Sequence, residues 1–245
     1  MPVSKAQIKV IQSLHQKKHR QMYGKFLVEG YKAVKELLAS SFKIDAIYAL
    51  PEWIAENGNH NGLAELVNDT ELGQLATQQQ PHGVIAVAYM PEPSPSFALE
   101  QKLYIACDCL NDPGNAGTII RIADWFGLGG VLFSLDSVEV YNPKVVSAAK
   151  GSLFRVPVHY TDLATLFKEQ PQLPIYGTAV DGESIYDINL PSSAIILIGN
   201  EANGIGAELQ DLITQRICIP SHGRAESLNA AVATGIIVSE WRRKA

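Results

Sequence analysis

"LYIACDCLNDPGNAGTIIRIADWFG", residues 103–127, decides how the chain is read. An almost unbroken apolar run from Leu103 to Leu110 leads into a loop with two Asn, an Asp, a Pro and two Gly. Apolar residues then return at helical spacing, so the stretch reads as strand, polar loop, helix. A continuously apolar strand belongs to a parallel sheet covered on both faces. In such sheets ligands lie beyond the carboxyl ends of the strands. Gly114 and Gly117 admit close backbone approach, the start of a helix favours an anion, and Arg121 adds a forked donor. An ordinary turn, a helix cap and a surface arginine account for the same residues. The loop is neither a Walker loop nor a Gly-x-Gly-x-x-Gly dinucleotide turn.

Working outward, the same design repeats. Apolar runs at 130–134 (GVLFS), 173–179 (LPIYGTA), 194–199 (AIILIG) and 216–220 (RICIP) alternate with helical segments. After the first, third, fourth and fifth strands come NDPGNAG (111–117), TAVDGES (178–184), GNEANGIG (199–206) and PSHGRAESLN (220–229). Four polar, Gly-bearing loops at one sheet edge mark a site. Singly, each has a plainer reading. Glu201 is a solvated loop acid, and Ser227 caps the last helix. Ala230, Ala231, Ala233 and Gly235 allow close helix packing. Lys144 and Arg155, at the two ends of NPKVVSAAKGSLFR (142–155), face either an anion or water.

Upstream, YMPEPSPSFALEQK (89–102) carries Pro91, Pro93 and Pro95 at alternate positions, a pattern for an extended connector. The expected division is residues 1–90, a linker over 91–101, and a second domain over 102–245. The first domain opens with Ser4-x-x-Gln7, a capping box, and continues with strands at KFLVEG, IDAIYAL and GVIAVAYM and helices at YKAVKELLAS and ELGQLATQ. This is a small α/β layer structure.

The net charge is −5, yet residues 1–28 hold Lys5, Lys9, Lys17, Lys18, Arg20 and Lys25 and no acid. That asymmetry fits a local patch for a polyanion, or a solvated helix face. Cys107, Cys109 and Cys218 fit reduced thiols in a cytoplasmic protein. No apolar run is long enough for a membrane span, and no secretory signal follows the basic start. Histidines at 15, 19, 60, 82, 159 and 222 lack metal-ligand spacing, and there is no Gly-x-Ser-x-Gly elbow. Neither a metal nor a covalent nucleophile is expected.

Taken together and in order, NDPGNAGTIIRIADWFG, LIGNEANGIG and IPSHGRAESLNAAVATGIIVSE resemble the three motifs of the SpoU (TrmH-like) RNA 2′-O-ribose methyltransferases, members of the SPOUT superfamily. The likeness spans 103–243. GKFLVEGYKAVKELL and PHGVIAV resemble the ribosomal-protein-L30-like substrate-binding domain of many members. Ile122 and Ala202 depart from the Thr and Gly common in the family.

The resemblance implies a C-terminal parallel-sheet α/β domain with a deep trefoil knot and a homodimer formed through that domain. It implies methyl transfer from S-adenosyl-L-methionine to a ribose 2′-hydroxyl of structured RNA, with 23S rRNA preferred over tRNA. By that likeness the cofactor contacts are Thr178, Ala179, Gly182, Ile198, Gly199, Glu201, Ile219, Ser227, Leu228 and Asn229. The catalytic set is Arg121, Asn115, Glu201, Ser227 and Asn229. By the likeness Arg121 helps deprotonate the 2′-hydroxyl with the substrate phosphate, or, since a guanidinium donates but does not readily accept a proton, serves as a phosphate clamp that orients the hydroxyl; Glu201 is expected to orient it or the backbone around it. Lys17, Lys18, Arg20, Lys25, Lys144 and Arg155 are the candidate RNA contacts. Two rivals stand beside this reading. A noncatalytic RNA-binding ribosome-assembly factor would not need the whole polar set. A nucleotide-dependent oxidoreductase would need a dinucleotide fingerprint.

Overall fold

The computed structural model describes residues 3–77, 82–92 and 99–244. It divides into two compact units, Met1–Ser94 with Glu139–Arg155, and Pro95–Val138 with Val156–Ala245. Segment 139–155, expected in the second domain, thus packs with the first unit. Most of the expected connector, 93–98, lies outside the described residues.

The first unit runs α1 (Lys5–Ser13), α2 (Lys17–Tyr23), β1 (Lys25–Glu29), α3 (Tyr31–Leu38), β2 (Ile44–Ala49), α4 (Pro51–Asn57), β3 (Ala64–Leu66), α5 (Asp69–Leu75) and β4 (Val84–Tyr89). Its sheet has the order β1-β4-β2-β3, antiparallel except for the β2–β3 pair. The expected capping box forms: Gln7 N donates to Ser4 Oγ at 3.2 Å and Ser4 N to Gln7 Oε1 at 2.9 Å. Gly24 closes α2 with φ 61°, the left-handed turn that swings the chain into β1. Leu27, Tyr48, Ile85 and Val87 from the sheet bury against Leu14, Leu72 and Leu75 from the helical side.

The second unit contains β5 (Leu103–Cys107), α6 (Pro113–Trp125) and β6 (Gly130–Ser134); α7 (Pro143–Ala149) belongs to the segment that joins the first unit. Then come β7 (Val158–Thr161), α8 (Leu163–Glu169), β8 (Ile175–Ser184), β9 (Ala194–Ile198), α9 (Ala207–Gln210), β10 (Gln215–Cys218) and α10 (Ala230–Lys244). The sheet order is β10-β8-β9-β5-β6-β7 and every described pair is parallel. Strands β5 and β9 are buried at every residue, as their unbroken apolar sequence requires. Strand β7 escaped the sequence reading because it is an edge strand, half-buried along its length, with no apolar run to betray it.

This order places a switch point between β5 and β9, where successive connections leave in opposite directions. The loops after those two strands lie where an open α/β sheet takes its ligand. Strand β8 contributes a third wall. Its pairing with β10 jumps from Gly177↔Arg216 to Glu183↔Ile217, so 178–182 loops out between them. Among the described residues no helix is long and apolar enough to cross a membrane.

Candidate active site

The site is assembled from side chains that first satisfy their own loops. Asp112 caps α6 by accepting from Asn115 N at 2.7 Å, and Pro113 occupies the first helical turn without needing its missing N–H. This entry turns Asn115 inward, where it is buried. One residue beyond β5, Asp108 Oδ2 accepts from Gly206 N at 2.7 Å. Cys109 adopts a left-handed backbone, φ 49°, and its carbonyl accepts from Asn200 Nδ2 at 2.7 Å. The loops after β5 and β9 are thus tied at two points.

Loop 199–206 is itself a closed turn. Asn200 and Gly204 exchange backbone hydrogen bonds, both 2.9 Å, while Asn200 Oδ1 accepts from Ala202 N and Asn203 N. Asn is suited to this because its carbonyl reaches its own backbone two residues on. Gly199 is required here: a Cβ at that position would lie 2.4 Å from the Gly204 carbonyl carbon. The turn presents Glu201, whose Oε1 accepts from Asn115 Nδ2 at 2.9 Å. Asn229 Nδ2 donates to Asn115 Oδ1 at 2.8 Å, and Asn229 Oδ1 receives Ala231 N and Val232 N at the start of α10. Asn115 is therefore a hub, with its amide donating to one loop and its carbonyl accepting from another. Helix α10 lies close against α6, with Gly235 facing Ile122.

The third wall is fixed in the same way. Thr178 Oγ1 donates to Leu197 O at 3.1 Å. A Cβ on Gly182 would lie 2.5 Å from the Ile217 carbonyl carbon, so the end of loop 178–182 packs against the β10 backbone with no room to spare. Thr178, Ala179, Gly182 and Ile219 are half-buried and Ile198 buried, whereas Ser227 and Leu228 stand exposed. Burial pushes the Cys107 thiol well up, helped by the carboxylates of Glu201 and Asp108, so it stays protonated and inert.

Two expectations need correction. Glu201 does not hold Arg121: it accepts from Asn115, and among the described residues Arg121 has no hydrogen-bond or ion-pair partner. Six residues beyond Asn115, Arg121 sits roughly 9 Å further along α6 and about 120° round it, on the exposed face. Arg20, a candidate RNA contact, is 2% exposed. It donates to Leu14 O and His15 O and meets Glu139 Oε2 at 2.5 Å, so its guanidinium is spent on the fold. Lys25 pairs with Asp45 at 2.8 Å and Arg155 with Glu36. Lys17, Lys18 and Lys144 are exposed. The sequence reading missed Asp108, Asp112 and Asn200, which build the loops. An acid closing an apolar run, and Asn repeated beside Gly, were the available signals. Among the described residues no group of three His, Cys, Asp or Glu could hold a metal ion.

Comparison with known proteins identifies the family and the fold. Residues 102–239 match the SpoU rRNA Methylase family, and residues 5–86 match the MRM3-like substrate binding domain. The chain is 31% identical over 239 residues to the 23S rRNA (guanosine(2553)-2′-O)-methyltransferase RlmP of Bacillus subtilis (strain 168), covering 96% of this chain and 95% of that one. The AdoMet-bound rRNA methyltransferase from Sinorhizobium meliloti superposes with a TM-score of 0.86 at 30% identity, over 99% of this chain and 97% of that one. The SpoU methyltransferase AviRb from Streptomyces viridochromogenes, in complex with AdoMet, gives a TM-score of 0.86 at 26% identity, over 98% of each chain.

Proposed function

The chain belongs to the SpoU rRNA methylase family, and from that premise we propose that it transfers a methyl group from S-adenosyl-L-methionine to a ribose 2′-hydroxyl of 23S rRNA. The observation that carries this is the hydrogen-bonded chain Asn229–Asn115–Glu201. It locks the loops after β5 and β9 and the start of α10 around one crevice, at the switch point where an α/β sheet takes its ligand.

The residues of the crevice suit the methyl donor. Backbone groups of 199–201 and 227–229 match an adenine edge, and Ile198, Ile219 and Leu228 match its faces. When bound, S-adenosyl-L-methionine supplies a methyl already activated on a sulfonium. The protein's task is then alignment of the hydroxyl oxygen, which contributes about 7–11 kcal/mol in favourable intramolecular models. In this reading Arg121, exposed and without a hydrogen-bond partner among the described residues, clamps an RNA phosphate and presents the neighbouring ribose. The hydroxyl proton leaves to a phosphate oxygen or water. Lys17, Lys18 and Lys144 supply salt-sensitive attraction for the RNA.

By the same family likeness we infer a trefoil knot in this domain. Exposed Leu228, Val232 and Tyr186 support a homodimer through this domain. The bacterial rRNA methyltransferases it resembles support a cytoplasmic location for the reaction. The test is Arg121→Ala, assayed for S-adenosyl-L-methionine binding by calorimetry and for radiolabelled methyl transfer to 23S rRNA. Binding is expected to persist while transfer falls by at least 100-fold, the order seen when one preorganised donor is removed. Near-normal transfer removes Arg121 from the mechanism, and an inactive wild-type chain overturns the enzyme reading in favour of an RNA-binding factor.

A further inference from the structure

Helix α6 has two unlike faces. Asn115, Ala116, Ile119, Ile120 and Ala123 are buried. Thr118, Arg121 and Trp125 face outward. Trp125 follows Arg121 by four residues, which puts it about 6 Å further along the axis and only about 40° round it. It is 84% exposed, whereas Trp53 and Trp241, the other tryptophans of the chain, are 1% and 0% exposed. An indole left open to water forgoes the large burial that side chain normally obtains.

Its surroundings specify what would cover it. Just past Trp125, Arg242 of α10 lays its guanidinium on the carbonyls that follow α6: Nε donates to Phe126 O at 3.0 Å and Nη2 to Gly127 O at 2.9 Å. Arg242 is itself exposed, with N–H groups left over. The surface thus reads guanidinium, indole, guanidinium. That alternation suits single-stranded nucleic acid, whose bases stack on an aromatic face while flanking phosphates meet cations. It would not suit an apolar protein partner, which would desolvate both guanidinium groups and offer neither a counter-charge.

We propose that Trp125 is a stacking platform for the base of a nucleotide adjoining the methylated one, with Arg121 and Arg242 on the phosphates to either side. This rests on the reading of Arg121 as the residue that receives substrate phosphate. It makes Trp125 a determinant of RNA positioning, and it means that the target lies in, or is drawn into, an unpaired segment.

The protein reports on this platform directly, because Trp125 is the tryptophan that solvent and ligand can reach. Titrating the full chain with a short oligoadenylate should quench its intrinsic fluorescence saturably, and Trp125→Ala should abolish the response. With in vitro transcribed 23S rRNA, Trp125→Ala should raise KM for RNA between about 5- and 150-fold, the range of one lost base–aromatic stack. KM for S-adenosyl-L-methionine should not move, and Trp125→Phe, which keeps an aromatic face, should recover most of the loss. An active enzyme with no quenching and an unchanged KM in Trp125→Ala overturns the platform and leaves the proposed function standing. Wild-type emission that changes with protein concentration in the absence of RNA, together with dissociation of the Trp125→Ala variant in sedimentation, assigns the indole to a subunit contact and overturns it too. A wild-type chain without methyl transfer takes both proposals down.

Discussion

Replacing Asn115 by Asp changes one NH2 group into an oxygen and tests the hub of the site. Asn115 Oδ1, which accepts from Asn229 at 2.8 Å, is conserved by the change. The other end, which donates to Glu201 Oε1 at 2.9 Å, becomes a carboxylate facing a carboxylate. The lost hydrogen bond to a charged acceptor costs about 1.5–3 kcal/mol. Two like charges at that separation repel by about 6 kcal/mol at an effective dielectric of 20 and by about 1.4 kcal/mol in bulk water. Glu201 is exposed and can swing outward, so the lower figure governs. At the lower end of the hydrogen-bond range the sum is about 3 kcal/mol against the arrangement that joins 199–206 to α6. If all of it opposes ligand binding, affinity for S-adenosyl-L-methionine falls roughly 100-fold. Calorimetric titration measures this, with urea unfolding as the control for global stability. Glu201→Gln alone keeps an acceptor for Asn115 and should cost little. The double variant Asn115→Asp with Glu201→Gln restores a donor opposite the new carboxylate, and should recover at least tenfold over Asn115→Asp. A double variant that binds no better than Asn115→Asp refutes the hub, because the contact would then be incidental to the site.

Other consequences are as direct. Gly182→Ala puts a methyl group against the backbone of Ile217, which has no rotamer to escape by, and should lower stability by about 3 kcal/mol in urea unfolding. A wild-type midpoint would show that Gly182 does not pack against β10 as described. Arg20→Met strands Glu139 beside an apolar side chain and should cost about 3–5 kcal/mol, the penalty for breaking a buried pair by removing one partner. Lys17→Gln with Lys18→Gln should leave the unfolding midpoint unchanged and flatten the salt dependence of log K for single-stranded RNA by about 1.4. The opposite pattern, a stability loss from the lysines and an altered salt slope from Arg20, would reverse the roles assigned to them.

The parallel sheet was legible because burial on both faces leaves a mark on every residue of a strand, as in β5 and β9. The capping box of α1 was legible because both its partners lie within one turn. The polar loops at the carboxyl ends were legible as a set, since Gly, Asn and Asp are concentrated where the backbone must turn or approach something closely. Strand β7 was not, because an edge strand is wetted on one side and carries no continuous apolar run.

From sequence alone came the architecture of the second unit, the loops that compose the site, and the family whose chemistry they perform. Tertiary structure alone decided which polar groups meet. Asn115 and Glu201 are 86 residues apart, Asn115 and Asn229 are 114, and Arg20 and Glu139 are 119. Hydropathy along an element reports only whether a position is covered, never by what. So Arg20 and Arg121 look alike as residues in a row, yet one is locked inside by a distant carboxylate and the other is left facing water, where a phosphate can reach it.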